Sequence, residues 1–339
     1  MSSTPPVARQ RRSRLLLGAG LAMSVLLTAC GGDDGGDTAA GGDEGAAQEF
    51  NDVLTFATGG TGGVYYPYGG GIGNLLTSEV PGLTVTVQET NASVDNMQLL
   101  QSGQVQLAFA LGDVVADAAA GQNVFTEPLD ICALGNIYNN YVHFFTTADT
   151  GITSVEDLAG RRVSVGAVGS ASEVTADRIL QAAGIDPQAD IERAQLGVAE
   201  TVAALQDGTI DAGAWSGGLP TGAIVDLAST DDLVLLDTGQ YADELAEQYG
   251  DYYFALDIPA GTYEGQEEPV SNVVSPNILV VRNDMDEALQ EVITRTIFEN
   301  QEQLETVHPA AEELDPTTAG DIPFIETCPG AQAYFDSVN

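Results

Sequence analysis

Residues 99–110 read LLQSGQVQLAFA, and residues 204–215 read ALQDGTIDAGAW. The two stretches align position by position around Gly103 and Gly208. In each, a run with helical spacing stops at a glycine and an apolar, strand-like run follows, the mark of a helix-to-strand joint. A second shared feature lies upstream. Val53–Ala57 reads as a buried strand opening into TGGTGG at residues 58–63, and Arg162–Val165 reads as a strand opening into GAVGSAS at residues 166–172. Gly59 precedes Gly103 by 44 residues, and Gly166 precedes Gly208 by 42. The repetition predicts two lobes of one α/β architecture.

The intervening segments fit that scheme. Val64–Ser78 reads as a helix closed by Pro81-Gly82, and Leu83–Gln88 alternates as a strand does. Ser93 is placed to cap a helix reaching Gln101; Val105–Ala110 is a third strand and Val114–Ala120 a helix. In the second half, Glu173–Ala183 and Ala199–Gln206 read as helices and Thr209–Trp215 as a strand. Tyr141–Thr147 and Asn277–Arg282 are strand-like and bracket the second repeat. Residues 50–140 plus 283–339 are therefore expected to form lobe 1, and residues 141–282, hinge strands included, lobe 2. Two lobes joined by a double crossover make a hinge with a cleft, a geometry suited to closing on a ligand.

Each lobe would present a strand, a small-residue loop and a helix N-terminus to that cleft. Backbone N–H groups at a helix start are unpaired and sit at the positive end of the helix dipole. Glycine lets a ligand approach the backbone. Two such loops hold an anion or zwitterion without a basic side chain; a single one would only make a tight turn. Basic side chains are scarce: the chain has 10 Lys+Arg against 50 Asp+Glu, all ten are arginines, and four of them precede residue 15. That charge excludes a nucleic-acid partner, which needs basic patches. It marks a surface that repels itself unless salt screens it.

Sharper chemical motifs are missing. The P-loop needs a lysine that the chain lacks, and neither GGTGGV nor Gly69–Gly73 fits G-x-G-x-x-G. There is no G-x-S-x-G or H-E-x-x-H, and His143 and His308, the only histidines, lack metal-spaced partners. No cofactor, metal or catalytic centre is expected.

The N-terminus has the parts of a secretory signal. Arg9, Arg11, Arg12 and Arg14 precede an apolar run from Leu15 to Leu27, too short to span a bilayer as a permanent helix. Leu27-Thr28-Ala29-Cys30 resembles the lipobox of bacterial lipoproteins, in which the cysteine becomes the lipidated first residue. Residues 1–29 are then a signal peptide and Cys30 a membrane anchor. Residues 31–49, GGDDGGDTAAGGDEGAAQE, hold no large apolar side chain and read as an acidic tether. Cys132 and Cys328 remain, either paired in an oxidising compartment or as two separate buried thiols.

Several motifs along the mature chain resemble the TAXI-type solute receptors of tripartite ATP-independent periplasmic (TRAP) transporters. They are TGGTGGVYYP at 58–67, SVDN at 93–96, Asp113-Val114, SVEDLAGRRVSVG at 154–166, Gly169-Ser170, IPAGTY at 258–263 and HPAA at 308–311. The resemblance covers residues 50–339. It implies a two-lobed, periplasmic-binding-protein-like fold of type II. Such a receptor captures a small organic anion or zwitterion, glutamate- or glutamine-like or a 2-oxoacid or dicarboxylate, and delivers it to the membrane subunits of an ion-driven permease. Carried over residue by residue, the resemblance places Thr58, Gly59, Gly60, Thr61, Tyr65, Asn91 and Asp113 at the ligand from lobe 1. From lobe 2 it places Gly169, Ser170, Ala171, Ser172, Trp215 and Gly218. Asp113 either accepts from a ligand ammonium or caps a helix; Trp215 either touches ligand or packs the cleft wall; Tyr65 either touches ligand or stacks within lobe 1. The chain departs from the family at Leu111-Gly112, where many members have Gln-Ser, and at Cys328, where the family has His. The competing functions are a binding lipoprotein feeding a membrane sensor kinase and a secreted enzyme using the same cleft.

Overall fold

The computed structural model describes residues 50–339. The expected signal peptide, the lipidation expected at Cys30 and the expected tether lie outside the described residues. Lobe 1 opens as β1 (Val53–Ala57), α1 (Tyr65–Glu79), β2 (Thr84–Gln88), α2 (Ser93–Gln101), β3 (Leu107–Leu111) and α3 (Gly112–Ala120). The 17-residue β4 (Ile131–Thr147) crosses to lobe 2. There follow β5 (Arg162–Ser164), α4 (Ala171–Ala182), β6 (Glu192–Ala194), α5 (Val198–Gln206), β7 (Ala212–Gly217), α6 (Gly222–Ala228), β8 (Leu233–Leu236), α7 (Ala242–Tyr249) and β9 (Phe254–Ile258). The chain returns through β10 (Val270–Arg282) and ends in α8 (Glu287–Glu299), α9 (Gln301–Glu305) and α10 (Pro329–Val338).

One ten-stranded sheet runs through both lobes in the order β2-β1-β3-β10-β4-β7-β5-β6, with β8 added to β4 and β9 to β10. The outer trios are parallel, β2-β1-β3 on one side and β7-β5-β6 on the other. Between them β10 and β4 run antiparallel to each other and to the flanking strands. The expected fold class is the one observed: α/β, two-lobed, type II, with a double-crossover hinge. The cores divide accordingly. Phe56, Leu76, Phe109, Val280 and Ile297 belong to one, while Val142, Phe144, Ile179 and Val273, then Phe145, Val202, Ile224 and Val274, form two more. The change of core falls between Tyr138 and Tyr141 on β4 and between Val274 and Ile278 on β10.

Two local readings differ. Ser93 is the first residue of α2 rather than its cap; its hydroxyl accepts from the Leu111 N–H at 3.2 Å instead. The crossover strands extend well beyond 141–147 and 277–282, because their polar residues hide an otherwise apolar run. Cys132 and Cys328 form a disulfide with Cα atoms 5.0 Å apart, tying the start of α10 to β4.

Candidate functional site

The loop after β1 is held from below by side chains of its own lobe. Asn96, fully buried, donates from Nδ2 to the carbonyls of Thr58 (2.8 Å) and Phe109 (2.8 Å). The Thr90 hydroxyl lies 2.6 Å from Asn96 Oδ1. Thr58 itself is fully buried and donates to the Gln88 carbonyl at 2.8 Å. An aromatic stack seats α1: Phe109 meets Phe56 at 4.7 Å, Tyr65 at 5.0 Å and Tyr68 at 6.2 Å between ring centres. Such pairs contribute about 1 kcal/mol each beyond the area they bury. Gly69 permits the fit, since a Cβ there would stand 2.5 Å from Thr58 Cγ2.

The two lobes meet around a chamber with ≈ 20 Å³ of open space, room for about one water-sized group. Its wall combines Gly59, Gly60, Gly63 and Tyr65 of lobe 1 with Ala171, Ser172, Trp215 and Ser216 of lobe 2. An adjoining vestibule of ≈ 390 Å³ is lined by Gly60, Thr61, Asn91 and Glu89 on one side and Ser170, Val168 and Glu200 on the other. Backbone hydrogen bonds cross between the lobes beside them: Asp95 N–H to the Gly169 carbonyl and Ala223 N–H to the Gly62 carbonyl, both 3.2 Å.

The expected residues therefore divide. Gly59, Gly60, Thr61, Tyr65, Asn91, Ser170, Ala171, Ser172 and Trp215 are brought together. Thr58, Asp113, Gly169 and Gly218 are not among the lining residues. Thr58 is spent on the Gln88 carbonyl. Gly169 donates to Glu173 Oε2 at 3.1 Å, and Ser170 caps α4 by accepting from the Glu173 N–H at 3.2 Å, so these loop groups are satisfied within lobe 2. Gly218 packs against Tyr138, whose ring would lie 2.8 Å from a Cβ there.

Asp113 has a different position altogether. It is fully buried and receives hydrogen bonds from the hydroxyls of Thr175 (2.9 Å) and Tyr253 (2.6 Å) across the lobe boundary. Arg178 joins them, bonding Asp117 Oδ2 at 2.8 Å and Tyr253 at 2.9 Å and standing 3.6 Å from Asp113. It also lies over the Tyr249 ring at 4.3 Å. Burial raises the Asp117 pKa against the pull of Arg178. Asp113 is thus an interlobe contact rather than an N-cap; its own Oδ1 accepts only from the next N–H.

Three chamber hydroxyls have no protein partner: Tyr65, Tyr138 and Ser216. Burial raises both tyrosine pKa values, so these groups stay protonated and able to donate. Trp215 is half-buried; its indole N–H donates to the Thr221 hydroxyl at 3.2 Å. Tyr263, from the IPAGTY motif, steadies that turn by accepting from the Thr221 N–H at 3.1 Å while meeting His143 Nε2 at 2.9 Å. Sequence reasoning missed Tyr138 as a chamber residue. The available signal was the polar run NIYNNY at 136–141 within an apolar strand.

A family model described as the NMT1-like family matches residues 56–337. Among solved structures, the chain is similar to an ABC uptake transporter substrate binding protein from Streptococcus pneumoniae with bound histidine. The identity is 14%, with 76% of this chain and 92% of that one covered and a TM-score of 0.48. It is similar at 14% identity to a structure from the study of glutathione import by GshT and TcyBC of Streptococcus mutans, covering 78% and 95% with a TM-score of 0.48. The periplasmic aliphatic sulphonate binding protein SsuA from Escherichia coli shares 16% identity over 84% and 83%, with a TM-score of 0.45.

Proposed function

The chain belongs to the NMT1-like family and has the fold of a two-lobed binding protein, and from that premise we propose that it is an extracytoplasmic solute receptor. The chamber together with the adjoining vestibule, both between the lobes, is its ligand site. The observation that carries this reading is the set of unpartnered, buried hydroxyls of Tyr65, Tyr138 and Ser216, contributed by both lobes to one enclosed space. A buried hydroxyl left unpaired costs on the order of 1–3 kcal/mol, a cost that a polar solute offsets when the lobes close on it. Glycine backbone at Gly59 and Gly60 and the hydroxyl of Thr61 complete a wall that can bind the acid group of a small organic anion or amino-acid-like zwitterion. The chain has no lysine, and no arginine among the described residues is in the lining, so hydrogen bonds rather than ion pairs hold the acid.

The motif series from TGGTGGVYYP to HPAA supports the finer reading of a TAXI-type receptor that delivers its solute to a TRAP permease. A lipid on Cys30 and the acidic tether would keep the lobes beside that partner.

A thermal-shift screen of carboxylates and amino acids tests the reading. A ligand present at 100 times its Kd stabilises by about 2.7 kcal/mol. The Tyr65→Phe and Tyr138→Phe variants should lose most of the shift while melting normally without ligand. A screen in which no small polar solute raises the melting temperature, in low or high salt, overturns the proposal.

A further inference from the structure

Tyr138 and Ser216 of the chamber wall belong to a larger buried polar patch, whose other members lie behind the lining rather than in it. The β4–β10 register sets Tyr138 opposite Asn277 and Asn140 opposite Ser275. Asn277 is also opposite Leu111, and Ser216 is opposite Val142, two residues beyond Asn140. Directly opposed residues, and residues two apart on one strand, share a sheet face. Tyr138, Asn140, Ser216, Ser275 and Asn277 therefore form one patch over three adjacent strands, on the face where Leu111, Tyr138 and Ser216 line the chamber. Asn140, Ser275 and Asn277 have 0% of their surface exposed, Tyr138 1% and Ser216 6%. The three hydroxyl oxygens, and both Oδ1 and Nδ2 of each asparagine, have no hydrogen-bond partner in the protein.

The chemistry of the patch restricts its partner. Two amide NH₂ groups repel a cation. Two amide oxygens oppose a carboxylate, which offers only lone pairs. Exchanging O and N in either asparagine leaves the same mixture. Among the described residues no arginine lines the chamber or the vestibule, and Arg178 is committed to Asp117, Asp113 and Tyr253, so a buried carboxylate there meets no counter-charge. A neutral group that donates and accepts at once meets every requirement, and a primary carboxamide does so with the same geometry as the asparagines it faces.

Resting on the reading of the cleft as a solute site, we propose that its deep end selects a ligand whose innermost group is a carboxamide over the ligand with a carboxylate there. The ligand's acid group then lies against the glycine backbone of Gly59 and Gly60, short of the Glu89 and Glu200 carboxylates of the vestibule.

Calorimetric titration of the full-length chain with matched pairs tests this: L-glutamine and L-glutamate, L-asparagine and L-aspartate, succinamate and succinate. At pH 7.5 the amide of the pair that fits should bind at least about tenfold more tightly, since a site that hydrogen-bonds one group rejects its unmatched analogue strongly. Asn140→Leu and Asn277→Leu remove donor and acceptor together without leaving either buried alone, so both variants should fold. In each, the amide-to-acid ratio should fall toward one. Lowering the pH toward about 4.3, where a side-chain carboxyl gains a proton and becomes a donor, should narrow the ratio in the unaltered protein. An acid that binds as tightly as its amide at pH 7.5, or a ratio unmoved in both variants, overturns this proposal and leaves the receptor reading standing. Failure of all six probes together with the wider solute screen overturns both.

Discussion

Gly63 of lobe 1 lies against the ring of Trp215 of lobe 2, so close that a Cβ on Gly63 would stand 2.6 Å from Trp215 Cζ2 and 2.9 Å from Cη2. The contact crosses the chamber wall, and the indole is fixed on its other side by Thr221. A glycine in the TGGTGG loop thus serves lobe approach.

Gly63→Val should wedge the lobes apart. The variant is expected to bind ligand at least about tenfold more weakly, a loss of about 1.4 kcal/mol, with little change in unliganded melting temperature. Trp215 is the only tryptophan of the chain, so its fluorescence reports closure directly. A ligand-induced fluorescence change retained in full by Gly63→Val would show that the contact does not gate closure.

Arg178 is the one buried cation that joins the lobes among the described residues, with its side chain 7% exposed. Arg178→Met should leave Asp113 and Asp117 buried without a counter-charge and cost about 3–5 kcal/mol. Denaturant unfolding measures it. The double variant Asp117→Asn with Arg178→Met should recover part of the loss, and no recovery would mean that charge pairing is not the reason Arg178 is there.

The Cys132–Cys328 disulfide spans a sequence separation of 196 residues and anchors the C-terminal helix to a crossover strand. Replacing both cysteines with serine is expected to lower stability by about 2–5 kcal/mol. The same decrease should follow when the unaltered protein is melted with reductant, and a melting temperature insensitive to reductant would contradict it.

His143 is fully buried; burial holds its pKa down at about 4 against an ordinary value of 6.5. Its Nδ1 must donate to the Tyr141 carbonyl at 2.9 Å, which leaves Nε2 to accept from the Tyr263 hydroxyl. The folded protein holds the ring neutral, while the unfolded chain binds a proton below about pH 6.5. This stabilisation is present above about pH 6.5 and is lost as the pH falls toward 4, by up to about 3 kcal/mol. His143→Gln should flatten that part of the stability profile relative to the unaltered protein, and parallel profiles would refute the assignment.

Much of the fold was legible because local pattern and tertiary structure agree. β1, and α2 from Ser93 to Gln101, fall where periodicity and the Gly103 stop place them. The candidate site was legible in part. The glycine loops announced themselves, since few other roles require so many small residues together. Asp113 and Gly169 were drawn toward the ligand by motif position, yet their polar groups are satisfied by Tyr253, Thr175 and Glu173, partners 4 to 140 residues away. Ser275 and Asn277 gave no clear signal, because a polar residue in a strand usually faces water.

The duplicated α/β pattern, the shortage of basic groups and the glycine-rich loops are readable along the chain, because strand alternation, helix stops and charge composition need no knowledge of the fold. Which polar groups end without a partner is set by packing. That depends on register between β4 and β10, which lie more than a hundred residues apart, and on how closely Gly63 lets Trp215 approach. Hydrogen-bond satisfaction is a property of the packed whole, and the chemistry of the cleft follows from it.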